Sequence, residues 1–400
     1  MKVAHKWLTL PLLALNVFAC ESELTLVGPQ PKTDCKNSCP GACVADVCLQ
    51  RPAIELAGGF AAVCLRRDAR LDCWGGVGHT TQVVGVNDGL PHTSPVRVAS
   101  DVDWASVSSQ VGEHFCGLNA VGTALCWGGN SSGQLGVGDG DDRLVPTDVP
   151  SVQFVKVATG SSHGCALDPS GAAYCWGRNL DGELGTGSRD STVVPRQVSQ
   201  RTPFIDIVVG WGHTCAKSAD ERLFCWGRNT EGQLGLGDNA SRVAPELVRL
   251  SFTPELIAAG GRHTCVTDQR RHAHCFGDNT DGQLGLGTSQ ASAEPRAVLL
   301  DEEVHSLALG VYSSCFGSEL GAYSCAGDLF GANEGTLDAA DALEPRAIAP
   351  GLTFTQVALG YDFLCGIGQG GEVYCWGQNE HGQLGVGDLE PRTEPTKLSL

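Results

Sequence analysis

The sequence predicts an all-β protein, a seven-bladed β-propeller with a short N-terminal Cys-rich segment. The 400 residues include 53 Gly, nearly twice the usual share of about 7%, and Gly disfavours helix interiors. Residues 53–400 repeat the same landmarks at intervals of about 50 residues, which indicates a solenoid, a propeller or an array. Each repeat holds four short apolar segments bounded by Gly or Pro, and such segments predict strands. Four strands per repeat favour the propeller.

The landmarks keep one order in the repeats. A Gly ends the first apolar segment, a Cys pair brackets the second and third, and a Pro lies in the fourth. The recurrences are Gly160, Gly210, Gly260, Gly310 and Gly360, then Cys-Trp-Gly at 73–75, 126–128, 175–177, 225–227 and 375–377, then Gly-Gln-Leu-Gly at 133–136, 232–235, 282–285 and 382–385.

Each segment of a repeat predicts one strand. The first is short and β-branched, as in Phe204–Val209. The second and third form a hairpin that places Cys165 opposite Cys175 around a three-residue loop ending at Gly171. The fourth begins with Pro, which suits an edge strand because Pro has no N–H to donate. The last such segment, residues 395–398, is the candidate for closing the ring.

One string of residues carries a family resemblance. His213-Thr-Cys-Ala, Phe224-Cys-Trp-Gly-Arg-Asn and Gly232-Gln-Leu-Gly-Leu-Gly follow one another, and together they resemble the regulator-of-chromosome-condensation repeat. The resemblance covers residues 53–400 and implies a seven-bladed propeller. It departs from the family pattern in blade 1, which has no Gly-Gln-Leu-Gly, and in blade 6, where Phe330-Gly-Ala-Asn replaces it. The motif identifies a fold and not an activity.

The N-terminus predicts an export signal. Two Lys residues precede the apolar residues 7–17, a stretch that has the length of a signal h-region and is too short to span a membrane. The stretch leads to Ala19-Cys20, which resembles a bacterial lipobox. We therefore expect a signal peptide over 1–19, lipidation of Cys20 and a tether over 20–34. The protein is expected to be anchored in the outer membrane or at the cell surface, with ordinary secretion as the alternative.

The cysteine count fits an exported protein. The chain has 19 Cys, and setting Cys20 apart leaves an even number, which favours disulfides. Residues 35–52 are predicted to form a small knot with two disulfides, in any of three connectivities, and zinc is disfavoured because no Cys-x2-Cys and no His is present. The cysteines of the knot are Cys35, Cys39, Cys43 and Cys48. The pairs predicted in the repeats are Cys64–Cys73, Cys116–Cys126, Cys165–Cys175, Cys215–Cys225, Cys265–Cys275, Cys315–Cys325 and Cys365–Cys375.

Some repeated side chains suggest metal sites, and a structural role is favoured for each. Four His residues stand two positions before a Cys, but blades radiate around an axis, so these His need not converge. They are His114, His163, His213 and His263. Turns beginning at Asn179, Asn279 and Asn379 mimic part of a calcium loop without its bidentate Glu. Residues 139–142 form the densest acidic loop, and a calcium role there is the weaker alternative. No metal is predicted.

Charge and motifs argue against several function classes. The formal net charge of −18 has the wrong sign for a phosphate-backbone binder, so no nucleic-acid partner is expected. The sequence contains no nucleophile elbow, no zinc-protease motif and no phosphate loop, and no cofactor is expected. The Trp residues of Cys-Trp-Gly are predicted to pack in the core, whereas Trp211 is predicted to be exposed in a turn.

The predicted function is that of a non-enzymatic, monomeric scaffold that binds a protein at the bacterial cell envelope or surface. The best-known relatives exchange guanine nucleotide on the small GTPase Ran, and export and negative charge argue against that role here. One alternative is an enzyme inhibitor resembling the secreted propeller that inhibits β-lactamases. A second is a glycan- or peptide-processing enzyme built from dispersed carboxylates.

The partner site is predicted where the repeats differ, because identical loops discriminate partners poorly. The two most divergent stretches are residues 76–94 in blade 1 and 328–343 in blade 6, and both are expected at the same end of the propeller. The candidate binding residues are His79, His92, Trp211, Phe330, Asn333 and Glu334.

Overall fold

The computed structural model describes residues 42–44, 47–49, 52–76, 83–110, 112–330 and 342–400. The predicted signal peptide, the tether and parts of the knot and of the divergent loops lie outside these residues. So do Cys20, Cys35, Cys39, His79, Asn333 and Glu334. No described residue belongs to a helix that could cross a membrane.

Seven antiparallel four-stranded sheets form the propeller, and the predicted fold is confirmed. Each sheet consists of one repeat, with its strands in chain order from the axis outward. Ahead of them lies a two-stranded sheet of β1 (Ala42–Val44) and β2 (Val47–Leu49), whose register sets Cys43 opposite Cys48.

The strands of the first four blades are β3 (Ile54–Gly58), β4 (Ala62–Arg67), β5 (Arg70–Gly75) and β6 (His92–Arg97); β7 (Trp104–Ser108), β8 (His114–Asn119), β9 (Ala124–Gly128) and β10 (Arg143–Asp148); β11 (Lys156–Thr159), β12 (His163–Leu167), β13 (Ala173–Gly177) and β14 (Thr192–Gln197); β15 (Phe204–Val209), β16 (His213–Ser218), β17 (Leu223–Gly227) and β18 (Arg242–Leu247). Those of the last three are β19 (Ile257–Ala259), β20 (His263–Thr267), β21 (Ala273–Gly277) and β22 (Ser292–Ala297); β23 (Ser306–Leu309), β24 (Ser313–Gly317), β25 (Tyr323–Gly327) and β26 (Ala342–Ala347); β27 (Phe354–Leu359), β28 (Phe363–Gly368), β29 (Val373–Gly377) and β30 (Arg392–Lys397).

The ring closes without exchange of a strand between its ends. The prediction that residues 395–398 close the ring is wrong, because β30 pairs with β29 of its own repeat. Blade 7 instead meets blade 1 through packed side chains and hydrogen bonds. The Gln356 amide accepts from the Leu56 N–H at 3.0 Å and donates to the Leu56 carbonyl at 2.9 Å. Arg67 donates to the carbonyl of Gly371 at 2.9 Å.

The hydrophobic core is divided among the interfaces between blades. Each of the seven interfaces encloses one cluster of buried apolar side chains in the described part of the chain. The cluster between blades 7 and 1 joins Leu56 and Trp74 to Phe363 and Leu384. Every blade therefore depends on both neighbours for burial of its faces, as in other repeat architectures.

All seven predicted Cys pairs in the repeats are disulfide-bonded, and each bridge lies within one hairpin. Cys165 stands directly opposite Cys175 in the β12–β13 ladder. Gly171 has a φ of +83° in the hairpin loop, a conformation that Gly adopts without steric cost.

Loops that follow the third strand are hydrogen-bonded to the next blade. The Trp of Cys-Trp-Gly is buried, and in blades 1 to 4 its indole N–H donates to a carbonyl in the loop of the preceding blade. Trp226 donates to the Glu183 carbonyl at 2.8 Å, and Trp74 donates to that of Gln383 at 3.0 Å across the ends of the chain. Gly185 has a φ of +63°, and a Cβ there would lie 2.7 Å from the Trp226 ring. The Gly-Gln-Leu-Gly motif thus encodes a close approach between blades.

The fourth strands begin earlier than the sequence predicts. β14 starts at Thr192, three residues before Pro195. Its register with β13 shifts between Cys175 and Gly177, so the Pro lies at an irregularity of an edge strand, where no ladder donor is lost.

Candidate functional site

Two sets of connections meet at one end of the propeller, here called the turn face. The turns between first and second strands lie next to the axis, and the loops between third and fourth strands lie outside them. Backbone hydrogen bonds join the two sets: the Arg228 N–H donates to Gly212 at 2.7 Å, and the Gln378 N–H donates to Asp362 at 3.0 Å. The opposite end, with the hairpins between second and third strands, is here called the hairpin face.

The repeated Gly of the first strand lies where the blades converge at the turn face. A Cβ on Gly210 would lie 2.5 Å from the Gly260 carbonyl oxygen, and one on Gly260 would lie 2.7 Å from that of Gly310. Any side chain would therefore overlap the neighbouring backbone. This close approach explains why Gly recurs at this position of the repeat.

The turns bond to one another around the axis. The backbone N–H of Trp211 donates to the Gly261 carbonyl at 3.1 Å, and that of Gly261 donates to the Gly310 carbonyl at 3.0 Å. The backbone N–H of Phe60 donates to the Gly112 carbonyl at 3.0 Å. These bonds fix the turn backbones, so the side chains that the turns carry have defined positions.

Four half-buried aromatic side chains form a continuous arc on these turns, here called the aromatic arc. Its members are Trp211, Tyr312, Tyr361 and Phe60. The ring centroids of Trp211 and Tyr312 are 6.2 Å apart, those of Tyr312 and Tyr361 are 6.1 Å apart, and those of Tyr361 and Phe60 are 4.6 Å apart. Blade 5 contributes Gly261 between Trp211 and Tyr312, so no side chain separates those two rings.

Charged groups border the arc. The Arg262 guanidinium lies 5.7 Å from the centroid of the Trp211 ring and 3.8 Å from a Glu231 carboxylate oxygen. Burial raises the pKa of Asp362, and the neighbouring Glu380 carboxylate also raises it. Burial raises the pKa of the Tyr312 phenol, and its hydrogen bond with Tyr361 and the nearby Asp281 carboxylate raise it further. The arc between blades 5 and 7 therefore has carboxylates beside it.

The central channel holds a cavity of about 280 Å³ lined by the first strands. Gln110 crosses the axis near the turn face and donates to the carbonyls of Ala259 at 2.7 Å and Leu309 at 2.6 Å. Lys156 pairs with Asp206 along the wall. The polar side chains of the channel are thus engaged with its own walls.

The four repeated His residues are fully buried, and three of them link neighbouring blades. His213 contacts the Thr264 hydroxyl at 2.9 Å, and that hydroxyl donates to the Gln233 carbonyl at 2.9 Å. Because the hydroxyl proton goes to the carbonyl, His213 donates from a neutral ring. His163 and His263 make the same contact at 2.9 and 2.8 Å. This is the structural role predicted from the sequence.

His114 departs from this pattern. The residue in the position of the acceptor hydroxyl is Gly164, and both ring nitrogens of His114 are without a partner among the described residues. Burial lowers the pKa of His114 and His213 to about 4 and that of His163 and His263 to about 3.

The loops that resemble calcium sites are held by their own Asn residues. The Asn279 amide donates to the carbonyls of Thr288 and Gln290 and accepts from the Leu284 N–H at 2.9 Å. In the acidic loop, the Arg143 guanidinium donates to Asp139 at 2.6 Å, and this bond lowers the pKa of the carboxyl group. Across the described ranges, no three His, Cys, Asp or Glu side chains are grouped to hold a metal ion.

Two models of the regulator of chromosome condensation (RCC1) repeat match the sequence. One matches residues 122–167, 170–216, 220–267 and 370–400, and the other matches 154–183, 204–233, 255–283 and 354–383. Together they cover more than half of the chain. The chain belongs to the RCC1-repeat family.

Solved structures share the fold of this RCC1-repeat chain. Human WBSCR16 is 18% identical with a TM-score of 0.73, over 83% of this chain and 95% of its own. Yeast RCC1 (Prp20) in complex with Kap60 is 20% identical with a TM-score of 0.72, over 87% and 85%. Prp20p from Saccharomyces cerevisiae, solved in a study of its binding to Gsp1p and histones, is 20% identical with a TM-score of 0.72, over 87% of this chain and 88% of its own. No curated protein matched the sequence significantly.

The structure separates the predicted binding residues of this RCC1-repeat propeller. Trp211 belongs to the aromatic arc and is half-buried rather than exposed. His92 begins β6 and pairs with Asp88 at 3.0 Å. Phe330 packs against the cluster between blades 6 and 7. Within the blade 1 stretch, Val83 is buried and its carbonyl accepts from the Trp127 indole at 3.0 Å. This part of the divergent loop is therefore hydrogen-bonded to blade 2.

Sequence reasoning missed Tyr312, Tyr361 and Phe60. Each lies one or two positions after the Gly that ends the first strand, as Trp211 does. Aligning the repeats on that Gly and comparing the next two residues would have found them together.

Proposed function

We propose that this chain is a non-enzymatic scaffold of the bacterial cell envelope, exported and anchored through a lipid on Cys20, whose turn face binds a protein partner. The observation that carries the proposal is the position of the aromatic arc relative to the chain entry. The Asp68 N–H, in the hairpin of blade 1, donates to the Ala53 carbonyl at 2.9 Å, so the chain enters the propeller at the hairpin face. In the proposed anchor, the tether from Cys20 joins the propeller at the hairpin face, which is the end opposite the turn face.

The chemistry of the turn face supports a protein as the partner. Trp and Tyr are enriched among residues that contribute most to protein interfaces, since they bury a large area with few rotatable bonds. Yeast Prp20, which has the same fold, forms a complex with Kap60. The formal net charge of −18 disfavours nucleic acid as the partner.

Site-specific photo-crosslinking in the native host tests this proposal. A benzophenone amino acid at Ser161, on the turn face, is expected to give a discrete adduct with a second protein. The control is the same amino acid at Leu320, which is 79% exposed on the hairpin face and is expected to give none. Adducts from Leu320 and none from Ser161 would contradict the assignment of the face.

Lipidation of Cys20 is tested separately. Growth with a clickable palmitate analogue is expected to label the wild type and not Cys20→Ala, because in the proposed anchor Cys20 alone carries lipid, as a diacylglyceryl group on its thiol and an acyl chain on its amine. The Cys20→Ala protein is also expected to move from the membrane fraction to the soluble fraction, since several buried acyl chains give stable anchoring. Equal labelling of the two proteins would refute the anchor and leave the binding face untested by this measurement.

A further inference from the structure

We propose that the turn between β19 and β20 of blade 5 binds a carboxylate of the protein partner, and that the Arg262 guanidinium receives it. This inference rests on the proposed function and names the chemistry that one sector of the turn face recognises. The carboxylate belongs to an Asp or Glu side chain or to a C-terminus, because both present the same planar group.

The first argument is the position of Arg262 in the repeat. The residue immediately before the second strand differs in every blade, and in blades 1 to 7 it is Ala61, Glu113, Ser162, Gly212, Arg262, Tyr312 and Asp362. Arg262 is the only cation in this series. Since the equivalent turns meet around the axis, a single cation distinguishes one direction on the turn face, and discrimination between partners requires such asymmetry.

The second argument is that the Arg262 guanidinium is positioned while its donors stay unpaired. It lies over the Trp211 ring, 5.7 Å from the centroid, and this stacking holds its plane. The Glu231 carboxylate oxygen is 3.8 Å from it, which is too long for a hydrogen bond. Its Nε is buried without a partner among the described residues. The side chain is 40% exposed, so a partner can reach it and form the bidentate pair that guanidinium and carboxylate favour.

The third argument is a second unpaired donor in the same blade. The Gln283 side chain is fully buried, and its amide nitrogen has no partner in the described part of the chain. In blade 7 the equivalent amide nitrogen, that of Gln383, donates to Asp362 at 3.3 Å. Arg262 occupies the position of Asp362, so blade 5 has a donor where blade 7 has the acceptor. Because unpaired buried donors cost free energy, an acceptor from outside is favoured here.

The fourth argument is local charge, which differs from the net charge of −18. Burial raises the pKa of Glu231, but a hydrogen bond from Thr230 and the guanidinium groups of Arg228 and Arg262 outweigh burial, so the pKa lies below its ordinary value. This sector of the turn face therefore stabilises an ionised carboxylate. A carboxylate fits better than a phosphate dianion, because the Glu231 charge beside it repels each added negative charge.

The test measures binding of four short peptides to the purified full chain in non-ionic detergent, by fluorescence polarisation of an uncharged dye. All have the sequence Gly-Tyr-Gly-Xaa-Gly. Three end in an amide and carry Glu, Gln or phosphoserine at Xaa, and the fourth carries Gln and ends in a free carboxylate. In about 0.15 M salt, charges beyond about 8 Å are largely screened.

At least one of the two carboxylate peptides is expected to bind about tenfold more tightly than the Gln amide, which is the gain from a charge-assisted bidentate pair. The peptide that gains identifies the carboxylate as that of a side chain or of a C-terminus. Equal affinity of both carboxylate peptides and the Gln amide would overturn the proposal. Tightest binding of the phosphoserine peptide would overturn the choice of a carboxylate.

Variants locate the site and move the affinity in opposite directions. Arg262→Lys keeps the charge but loses the planar fork, and it is expected to weaken the carboxylate peptide about tenfold. Gln283→Glu is expected to weaken it by a similar factor, because the new carboxylate competes for Arg262. Blade 3 already accommodates Glu at this place in its loop, with Glu183 at 3.5 Å from Arg178. Glu231→Gln removes a competing carboxylate and is expected to strengthen binding about threefold.

Arg296→Lys is the matched control, because Arg296 is an exposed cation of β22 in the same blade. It is expected to leave the affinity unchanged, and equal losses in Arg262→Lys and Arg296→Lys would overturn the site. Cross-links from Ser161 that keep their full yield in Arg262→Lys would overturn Arg262 as the contact with the partner while leaving the scaffold role in place. Peptide binding without any Ser161 cross-link in the wild type would instead support the site and contradict the scaffold role.

Discussion

Lowering the pH from 7 to 5 is expected to destabilise the propeller by several kcal/mol. His114, His163, His213 and His263 have pKa values of about 4, 3, 4 and 3 in the folded chain, against about 6.5 when unfolded. The unfolded state therefore binds protons first as the pH falls. Stability is lost from about pH 6.5 down to the folded pKa values, at on the order of 2 kcal/mol per histidine by pH 5.

Urea denaturation of the oxidised protein at the two pH values measures this loss. His213→Gln keeps an amide donor near Thr264 but cannot titrate, so its loss between pH 7 and 5 is expected to be smaller than that of the wild type by about 2 kcal/mol. Glu55, Glu183 and Asp362 have pKa values raised by burial and act in the opposite sense. Their effect cancels when the two proteins are compared.

Leu320→Gln is the matched control, because this side chain is 79% exposed and the substitution adds and removes no titratable group. Its loss between pH 7 and 5 is expected to equal that of the wild type. An equal loss between pH 7 and 5 in His213→Gln and in the wild type would show that His213 does not resist protonation.

Gly210→Ala is expected to cost about 3 kcal/mol or more, the upper range for overpacking. The added Cβ would lie 2.5 Å from the Gly260 carbonyl oxygen and would also overlap the His213 ring. Relief requires the inner strand of blade 4 to move away from blade 5, and this movement strains the turn-face hydrogen bonds and the His213–Thr264 contact. Thermal and urea denaturation measure the loss.

Gly140→Ala provides the comparison. It adds the same methyl group in a loop where the nearest atom would be 3.8 Å away, and it is expected to change stability by less than about 0.5 kcal/mol, the usual range at the surface. Similar losses in the two variants would mean that the Gly at the end of each first strand does not set the distance between blades.

The architecture was predictable because its determinants are local and repeat. The hairpin around Gly171 follows from symmetric Cys spacing, and the edge position of Pro195 follows from its missing N–H. The strand limits were less predictable, because β14 begins three residues before Pro195. A strand can contain Pro at this position because β14 lies at the outer edge of the blade, where the missing N–H costs no hydrogen bond.

Contacts between repeats could not be predicted from the same landmarks. The sequence marks His213 as repeated, but its partner Thr264 lies 51 residues away, and only the ring geometry brings them together. The aromatic arc is a similar case. Its four side chains come from four repeats at two different offsets from the landmark Gly, so no single position in the repeat is aromatic throughout.

The absence of strand exchange has a consequence for how such chains change in evolution. Each blade is encoded by one uninterrupted repeat. The Trp74–Gln383 hydrogen bond between blades 1 and 7 also repeats the Trp226–Glu183 hydrogen bond between blades 4 and 3. The interface that closes the ring is therefore built like the interfaces between consecutive blades. A duplicated or exchanged repeat brings its four strands, its disulfide and its half of two interfaces as one genetic unit. Divergence can then accumulate in single turns, such as those that carry Tyr312 and Tyr361, without altering any sheet.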